Sequence, residues 1–539
     1  MHLRFESLKF LISYILKFKK FFITSFLLAV FLTLLQLPMP LASKYLIDKL
    51  IPAKKIKLIN ILGIALAGYV VISALTWVVY NYLTALFRLR VVNLIRFDLF
   101  KKVLKLPIIF FEKNETGYIA TRISDEVLSL SGIIGNFFST LIINSLTLVV
   151  GILGVFFIHK KLALIVYSIL PIYLFATKVF NKNIYQKSLI VREANAQNKR
   201  LLIDFLNNVI IAKIHSAIPF ALNKYNSSLE EVLDKEMRFT LINSLAFAST
   251  RIISNLAPLT LLWYGSLEIV KGRMSLGGLV AFNSFIGYIF TPAQQILNTI
   301  YQFQNARSSI RRIREIFGLK EENSGKLCKK LKGKIEVVNL NFSLNGKKIL
   351  ENLNIKINEG EMVAIIGASG VGKTTLLKIL AGLYSIERNK VFIDGVDIND
   401  YDKEHYRTQV IYVPQIPSVF SLTLFENLAL GENFTEQNIL DALKMVKGDF
   451  VKALKDGLRT KCLEKGSNFS GGQLQRISLA RGLIRNPKIL LLDEVTAHVD
   501  KNTERIIIEN LLKMKGRTTI LFVGHRLVNA EIFDKIIQI

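Results

Sequence analysis

GASGVGKT occupies residues 367–374, between the apolar run MVAII at 362–366 and the segment TLLKILAGL at 375–383. A glycine-rich loop joining a strand-like run to a helix-like one is the setting in which GxxxxGK[ST] cradles phosphates. The glycines let the backbone wrap an anion, Lys373 is placed to neutralise the outer phosphates, and the Thr374 hydroxyl is suited to Mg²⁺. Gly367, Ser369, Gly370, Gly372 and Thr375 complete the expected nucleotide contacts.

Two further stretches fit the same chemistry. ILLLDE at 489–494 reads as a buried strand ending in two carboxylates, as at the carboxyl edge of a parallel sheet. Asp493 would hold Mg²⁺ through water, and Glu494 would polarise the attacking water as general base. Apolar strands often end in solvated acids, but the distance from the P-loop favours the functional reading. FSGGQ at 469–473, at the start of a helix expected over 474–483, presents two flexible glycines and backbone N–H groups suited to an anion. Ser470, Gly471, Gly472 and Gln473 are its expected contacts.

The N-terminal part is different in kind. Apolar runs of spanning length fall at 21–46, 56–87, 133–158, 162–180, 252–270 and 276–300. Residues 1–20 mix Lys and Arg with Leu, Phe and Ile and suggest an amphipathic helix at a membrane surface, a signal peptide being the competing reading. The first 330 residues hold 41 Lys and Arg against 17 Asp and Glu, so most of the net +29 belongs to the apolar part. That placement argues for contact with anionic lipid and against a nucleic-acid partner. Residues 88–122 and 182–238, with eight and nine basic residues, read as helices continuing into the cytoplasm. The short outer turns are basic as well: Lys49, Lys54, Lys55, Lys57, Lys160, Lys161, Lys271 and Arg273 face only Asp48 and Glu268. Residues 318–332 form a polar, Lys-rich linker, after which 335–344 and 348–357 read as paired strands turning at 345–346. Cys328 and Cys462 are too few for a disulfide framework or a metal cage.

As a set, these motifs make residues 335–539 resemble an ABC ATPase domain, and residues 1–330 are similar to the membrane domain of type IV ABC exporters. Phe110, Phe111, Glu112, Gly117, Arg122 and Asp125 resemble that family's first cytoplasmic loop. The resemblance implies an all-α six-helix polytopic membrane domain followed by an α/β P-loop ABC ATPase domain. Its expected bounds are an N-terminal helix at 1–20, the membrane domain at 21–317, the linker at 318–332 and the nucleotide-binding domain at 333–539, short at its C-terminus. FSGGQ becomes the signature that binds the γ-phosphate of ATP held by another nucleotide domain, so a single copy implies a partner.

Gln415, in YVPQ, resembles the Q-loop glutamine that touches Mg²⁺ and the attacking water, and His525, in VGHR, resembles the switch histidine at the γ-phosphate. Asp500 keeps its place in the loop after Glu494, whereas His498 is unusual there. Glu464 resembles a loop that touches the opposite subunit, a solvated acid being the other reading. Leu344 stands where the family places a tyrosine to stack on adenine, and Phe342 is expected in the core. Short helices at 110–119 and 218–225 are implied to carry the strokes.

The implied function is an ATP-driven exporter that moves an amphipathic peptide, drug or lipid outward by alternating access, with ATP and Mg²⁺ as cofactors. A lipid flippase and an ATP-gated channel are the alternatives. Because Lys373, Asp493, Glu494, Ser470, Gln415 and His525 are all present, a homodimer is expected, with a heterodimer as alternative. The implied location is the plasma (inner) membrane, multi-pass, with the ATPase in the cytoplasm. Polar residues in the spans, among them Asn136, Ser139, Asn144, Gln295 and Asn298, line a cavity or bond between helices.

Overall fold

The computed structural model of the chain describes residues 2–539 except 345, 498 and 525–529, and without the side chains of 2–8, 136, 138, 139, 182, 301, 304, 305 and 530. The chain divides into two compact units, Met1–Val103 with Gly117–Gly318, and Leu104–Thr116 with Leu319–Ile539.

The first unit is helical. It comprises α1 (His2–Leu16), α2 (Lys19–Leu35), α3 (Pro38–Tyr45) running into a π-turn at Leu46–Leu50, and α4 (Ile56–Leu104). After α5 (Ile108–Lys113), which belongs to the second unit, follow α6 (Thr116–Ser129), α7 (Ser131–Ile158), α8 (Lys160–Asn207), α9 (Val209–Ile214), α10 (Ile218–Val270) and α11 (Leu276–Gly318). Among the described residues six stretches are long and apolar enough to cross a membrane, starting at Lys19, Ile56, Thr116, Lys160, Ile218 and Leu276. The 49 residues of α4 extend about 74 Å at ~1.5 Å per residue, more than twice a ~30 Å hydrocarbon core. Such a helix must continue well into water, as its Arg- and Lys-bearing second half requires.

Small residues let α7 and α11 approach closely. A Cβ on Gly151 would lie 2.8 Å from the Tyr288 carbonyl, and one on Gly154 would lie 2.5 Å from the Phe285 ring. In lipid, where apolar burial no longer drives association, such backbone approach supplies the contact energy. The described face of α1 buries Leu11, Tyr14 and Ile15, and Phe10 meets Phe317 of α11 with ring centroids 5.8 Å apart. This helix therefore packs on protein along one face.

The loop tips differ from the sequence expectation. The second short helix is α9 at Val209–Ile214, not residues 218–225, because Pro219 sits in the first turn of α10. There its missing N–H is no loss, and the long helix starts at that point. The stretch 110–119 is likewise divided, with extended Asn114 ending α5.

The second unit is α/β. Its elements are β1 (Ile335–Leu344), β2 (Lys347–Ile357), β3 (Met362–Ile366), α12 (Lys373–Leu380), β4 (Val391–Ile393), β5 (Val396–Asp397), α13 (Lys403–Gln409) and β6 (Val410–Val413). They continue through α14 (Leu424–Ala429), α15 (Glu436–Met445), α16 (Gly471–Leu483), β7 (Ile489–Asp493), α17 (Lys501–Leu512), β8 (Thr519–Val523) and β9 (Lys535–Gln538). One sheet runs β2-β1-β4-β5 and is antiparallel; the other runs β6-β7-β8-β3-β9 and is parallel. Strands β7 and β8 are buried at every residue, which explains their unbroken apolar sequence.

The segment read from sequence as a linker, residues 318–332, belongs to the second unit from Leu319 on and is docked there. Arg407 holds Glu322 through both guanidinium nitrogens, one at 2.9 Å. The Gln409 amide donates to Lys329 O at 3.0 Å and accepts from Leu331 N–H at 2.8 Å. Helix α5 docks in the same unit: Ile108 and Ile109 pack on its core, and Glu112 Oε1 accepts from Lys378 Nζ at 2.8 Å and Tyr384 O–H at 2.9 Å.

Candidate functional site

The phosphate-binding loop lies between the end of β3 and the start of α12. Gly370 and Gly372 have φ of +82° and +108°, values an L side chain avoids. A Cβ on Gly372 would also meet Leu350 Cδ2 at 2.7 Å. Lys373 is buried, and its Nζ donates to Gly367 O and Ala368 O at 2.9 Å each, which holds the ammonium inside the loop. Ser369 is exposed on the loop, and Thr375 is half-buried in the first turn of α12.

Thr374 Oγ1 donates to Asp493 Oδ1 at 3.1 Å across to the end of β7. Asp493 is fully buried, and its Oδ2 accepts from Tyr412 O–H at 2.9 Å. Burial, followed by the adjacent carboxylate, raises the Tyr412 pKa, so the phenol stays a donor. Gln415 Nε2 donates to Glu494 Oε2 at 2.6 Å. Glu494 follows β7 with φ of +49° and donates its own N–H to Val523 O at 2.9 Å. A non-glycine residue in the left-handed region carries strain, which functional sites often retain. The Thr374 hydroxyl, the Asp493 carboxylate and the Gln415 amide oxygen are hard oxygen donors of the kind that could hold Mg²⁺.

Ser470 is the N-cap of α16. Its Oγ accepts from Gln473 N–H at 3.3 Å, while Gln473 Oε1 accepts from Ser470 N–H at 2.8 Å. This reciprocal box fixes the turn and leaves the Gly471 and Gly472 N–H groups without intrahelical acceptors at the positive end of the helix dipole. Neither glycine has a positive φ, so they serve as a bare helix N-terminus and not, as the sequence suggested, as flexible joints. Among the described residues no hydrogen bond or ion pair joins Ser470–Gln473 to residues 367–375.

Asp500 caps α17, accepting from Thr503 N–H at 2.9 Å, and hydrogen bonding from the Thr503 side chain, followed by that backbone bond, lowers its pKa. His525 and His498 lie outside the described residues. Phe342 is buried, its ring 5.2 Å from Tyr384, and Leu344 is half-buried on the same core. Sequence reasoning missed Tyr412 and Lys378. Tyr412 lies three residues before Gln415, but its reach to Asp493 depends on β6 pairing with β7, and strand order is not written in local sequence.

In the helical unit, a cavity of about 240 Å³ is lined by Thr140, Gln295, Asn298, Thr299 and Gln302 beside Ile133 and Phe137. Asn144, expected to line a cavity or bridge helices, instead donates within its own helix to Thr140 O at 2.7 Å.

A P-loop ATPase unit following a helical unit with six spanning stretches defines a nucleotide-driven membrane transporter. The family description "ABC transporter transmembrane region" matches residues 22–293, and "ABC transporter" matches residues 350–497. The chain belongs to the ABC transporters, with one membrane domain fused to one ATPase domain, and it is an ATP hydrolase coupled to transmembrane transport. It is 28% identical over 534 residues to the leukotoxin translocation ATP-binding protein LktB of Mannheimia haemolytica, covering 97% of this chain and 75% of that protein. The Bibersteinia trehalosi protein of the same name is matched to the same extent. A bacterial Atm1-family ABC exporter solved with ATP bound shares the fold, with a TM-score of 0.85 over 97% of this chain and 93% of that one at 21% identity.

Proposed function

We propose that two copies of this chain form an exporter that moves an amphipathic substrate, an extended peptide being the favoured class, out of the cytoplasm. In this reading the ATPase units are cytoplasmic and the spans sit in the plasma membrane. Each ATP lies between the loop Gly367–Thr374 of one copy and Ser470–Gln473 of the other. The observation that carries the pairing is the bare N-terminus of α16, an anion site that no phosphate-loop residue of its own chain engages.

Mg²⁺ bound at Thr374 and Asp493 would neutralise charge developing on the phosphates. The chain's own groups do the rest. Lys373 leaves its loop carbonyls for the phosphates, Gln415 orients Glu494, and Glu494 takes a proton from the attacking water. His525 would add a contact at the terminal phosphate. Closing of the paired sites is the event that drives the cavity outward.

The substrate class rests on the cavity of the helical unit, whose Gln295, Asn298 and Gln302 amides can bond peptide groups beside Phe137 and Ile133. It also agrees with the LktB relatives, whose name states toxin translocation. In sealed inside-out vesicles, labelled amphipathic peptides should accumulate with ATP and stimulate its hydrolysis. Glu494→Gln should lower both by about 10²-fold or more. Accumulation of labelled phospholipid without peptide would favour a flippase instead, and ATP-gated ion current without accumulation would favour a channel.

A further inference from the structure

Three turns lie at the end of the helical unit away from residues 104 and 318: 46–57 before α4, 158–161 between α7 and α8, and 268–277 between α10 and α11. Their only two acids tie them together. Asp48 Oδ2 accepts from Ser275 Oγ at 2.6 Å and its Oδ1 from Gly277 N–H at 2.8 Å. Glu268, 1% exposed, places Oε2 3.3 Å from His159 Nε2. His159 Nδ1 accepts from Leu162 N–H, and among the described residues neither oxygen of the buried Glu268 accepts a hydrogen bond. Lys271 and Arg273 each lie 3.9 Å from Glu268 Oε1.

With both acids used, Lys49, Lys54, Lys55, Lys57, Lys160 and Lys161 remain, all exposed. Among the described residues none of the six has an acid within ion-pair distance. Large apolar side chains flank the three turns: Ile56 is 69% exposed, Phe157 81%, Leu164 64% and Val270 86%. Bare apolar surface directly beside lysines suits neither water nor a cradle for a free anion. It suits the hydrocarbon–headgroup boundary, where lysine stems lie along lipid and the ammonium groups reach the phosphates.

We propose that this rim is a binding surface for anionic phospholipid in the leaflet it faces, separate from the transport cavity. Six like charges on turns tied to one another repel. Lipid phosphates relieve that repulsion and hold the three turns together, so the lipid acts as a structural ligand at this end of the bundle.

The test uses full-length protein in neutral detergent, titrated with phosphatidylglycerol or phosphatidylcholine and read by native mass spectrometry. Three variants are compared: K54Q/K55Q/K57Q, K160Q/K161Q, and K199Q/R200Q/K213Q at the opposite end of the bundle. Phosphatidylglycerol should bind in preference to phosphatidylcholine. At about fivefold per lysine, the first variant should weaken its tightest binding about 100-fold and the second about 25-fold, while the third leaves that class unchanged. The two rim variants are independent, so either decides if the other misfolds. Wild-type affinity in a folded rim variant, loss only in the third variant, or displacement of the lipid by millimolar inorganic phosphate would each overturn the proposal.

Discussion

Tyr412 donates to a carboxylate that has no access to solvent, and Tyr412→Phe removes one of its two donors while keeping the ring. An unsatisfied buried acceptor costs about 1–3 kcal/mol, so the variant's ATPase unit should melt several degrees lower. Saturating MgATP should narrow the deficit, because the metal supplies the positive charge that the hydroxyl had partly supplied. A deficit unchanged by MgATP would place Asp493 away from the metal. At this scale much was legible. Lys373, Thr374, Asp493 and Glu494 are named by local motifs, and the structure joins Thr374 to Asp493 and Gln415 to Glu494. The left-handed backbone of Glu494 was not legible, since it follows from the tertiary bond of its N–H to Val523 O.

Among the elements, α5 has the sharpest consequence. Glu112 meets Lys378, on the helix that begins at the phosphate loop, and Tyr384. Burial is the largest single influence and works against the Lys378 charge, but the hydrogen bond to Glu112, together with the charge of that carboxylate and the Tyr384 phenol, leaves the Lys378 pKa raised. Glu112→Gln keeps the shape and loses the charge, weakening the docking of α5 by about 1–3 kcal/mol. Basal ATP hydrolysis should stay within about twofold of wild type, whereas stimulation by transported peptide should fall several-fold. Equal loss of both would assign Glu112 to the stability of the ATPase unit alone. Strands β3 and β7 were readable because buried parallel strands show as plain apolar runs. The loop-tip helices were misplaced because a proline near a helical pattern starts a helix as readily as it ends one. The docking of residues 319–332 was hidden because its partners, Arg407 and Gln409, lie some 80 residues away in sequence.

For the whole molecule, six apolar runs and three nucleotide motifs made the fold class legible, since each is a local pattern. The partner surface was not, because a signature helix names its ligand without naming the chain that carries it. The capping box of Ser470 and Gln473 adds that the turn at the start of α16 is fixed, with the two glycine N–H groups left without intrahelical acceptors. The most direct test is the stoichiometry of MgATP trapped by full-length Glu494→Gln, read together with the mass of the complex in detergent. Two chains holding two ATP, with trapping lost on adding Ser470→Arg, is the predicted result. One chain retaining one ATP regardless of Ser470 would contradict the composite site.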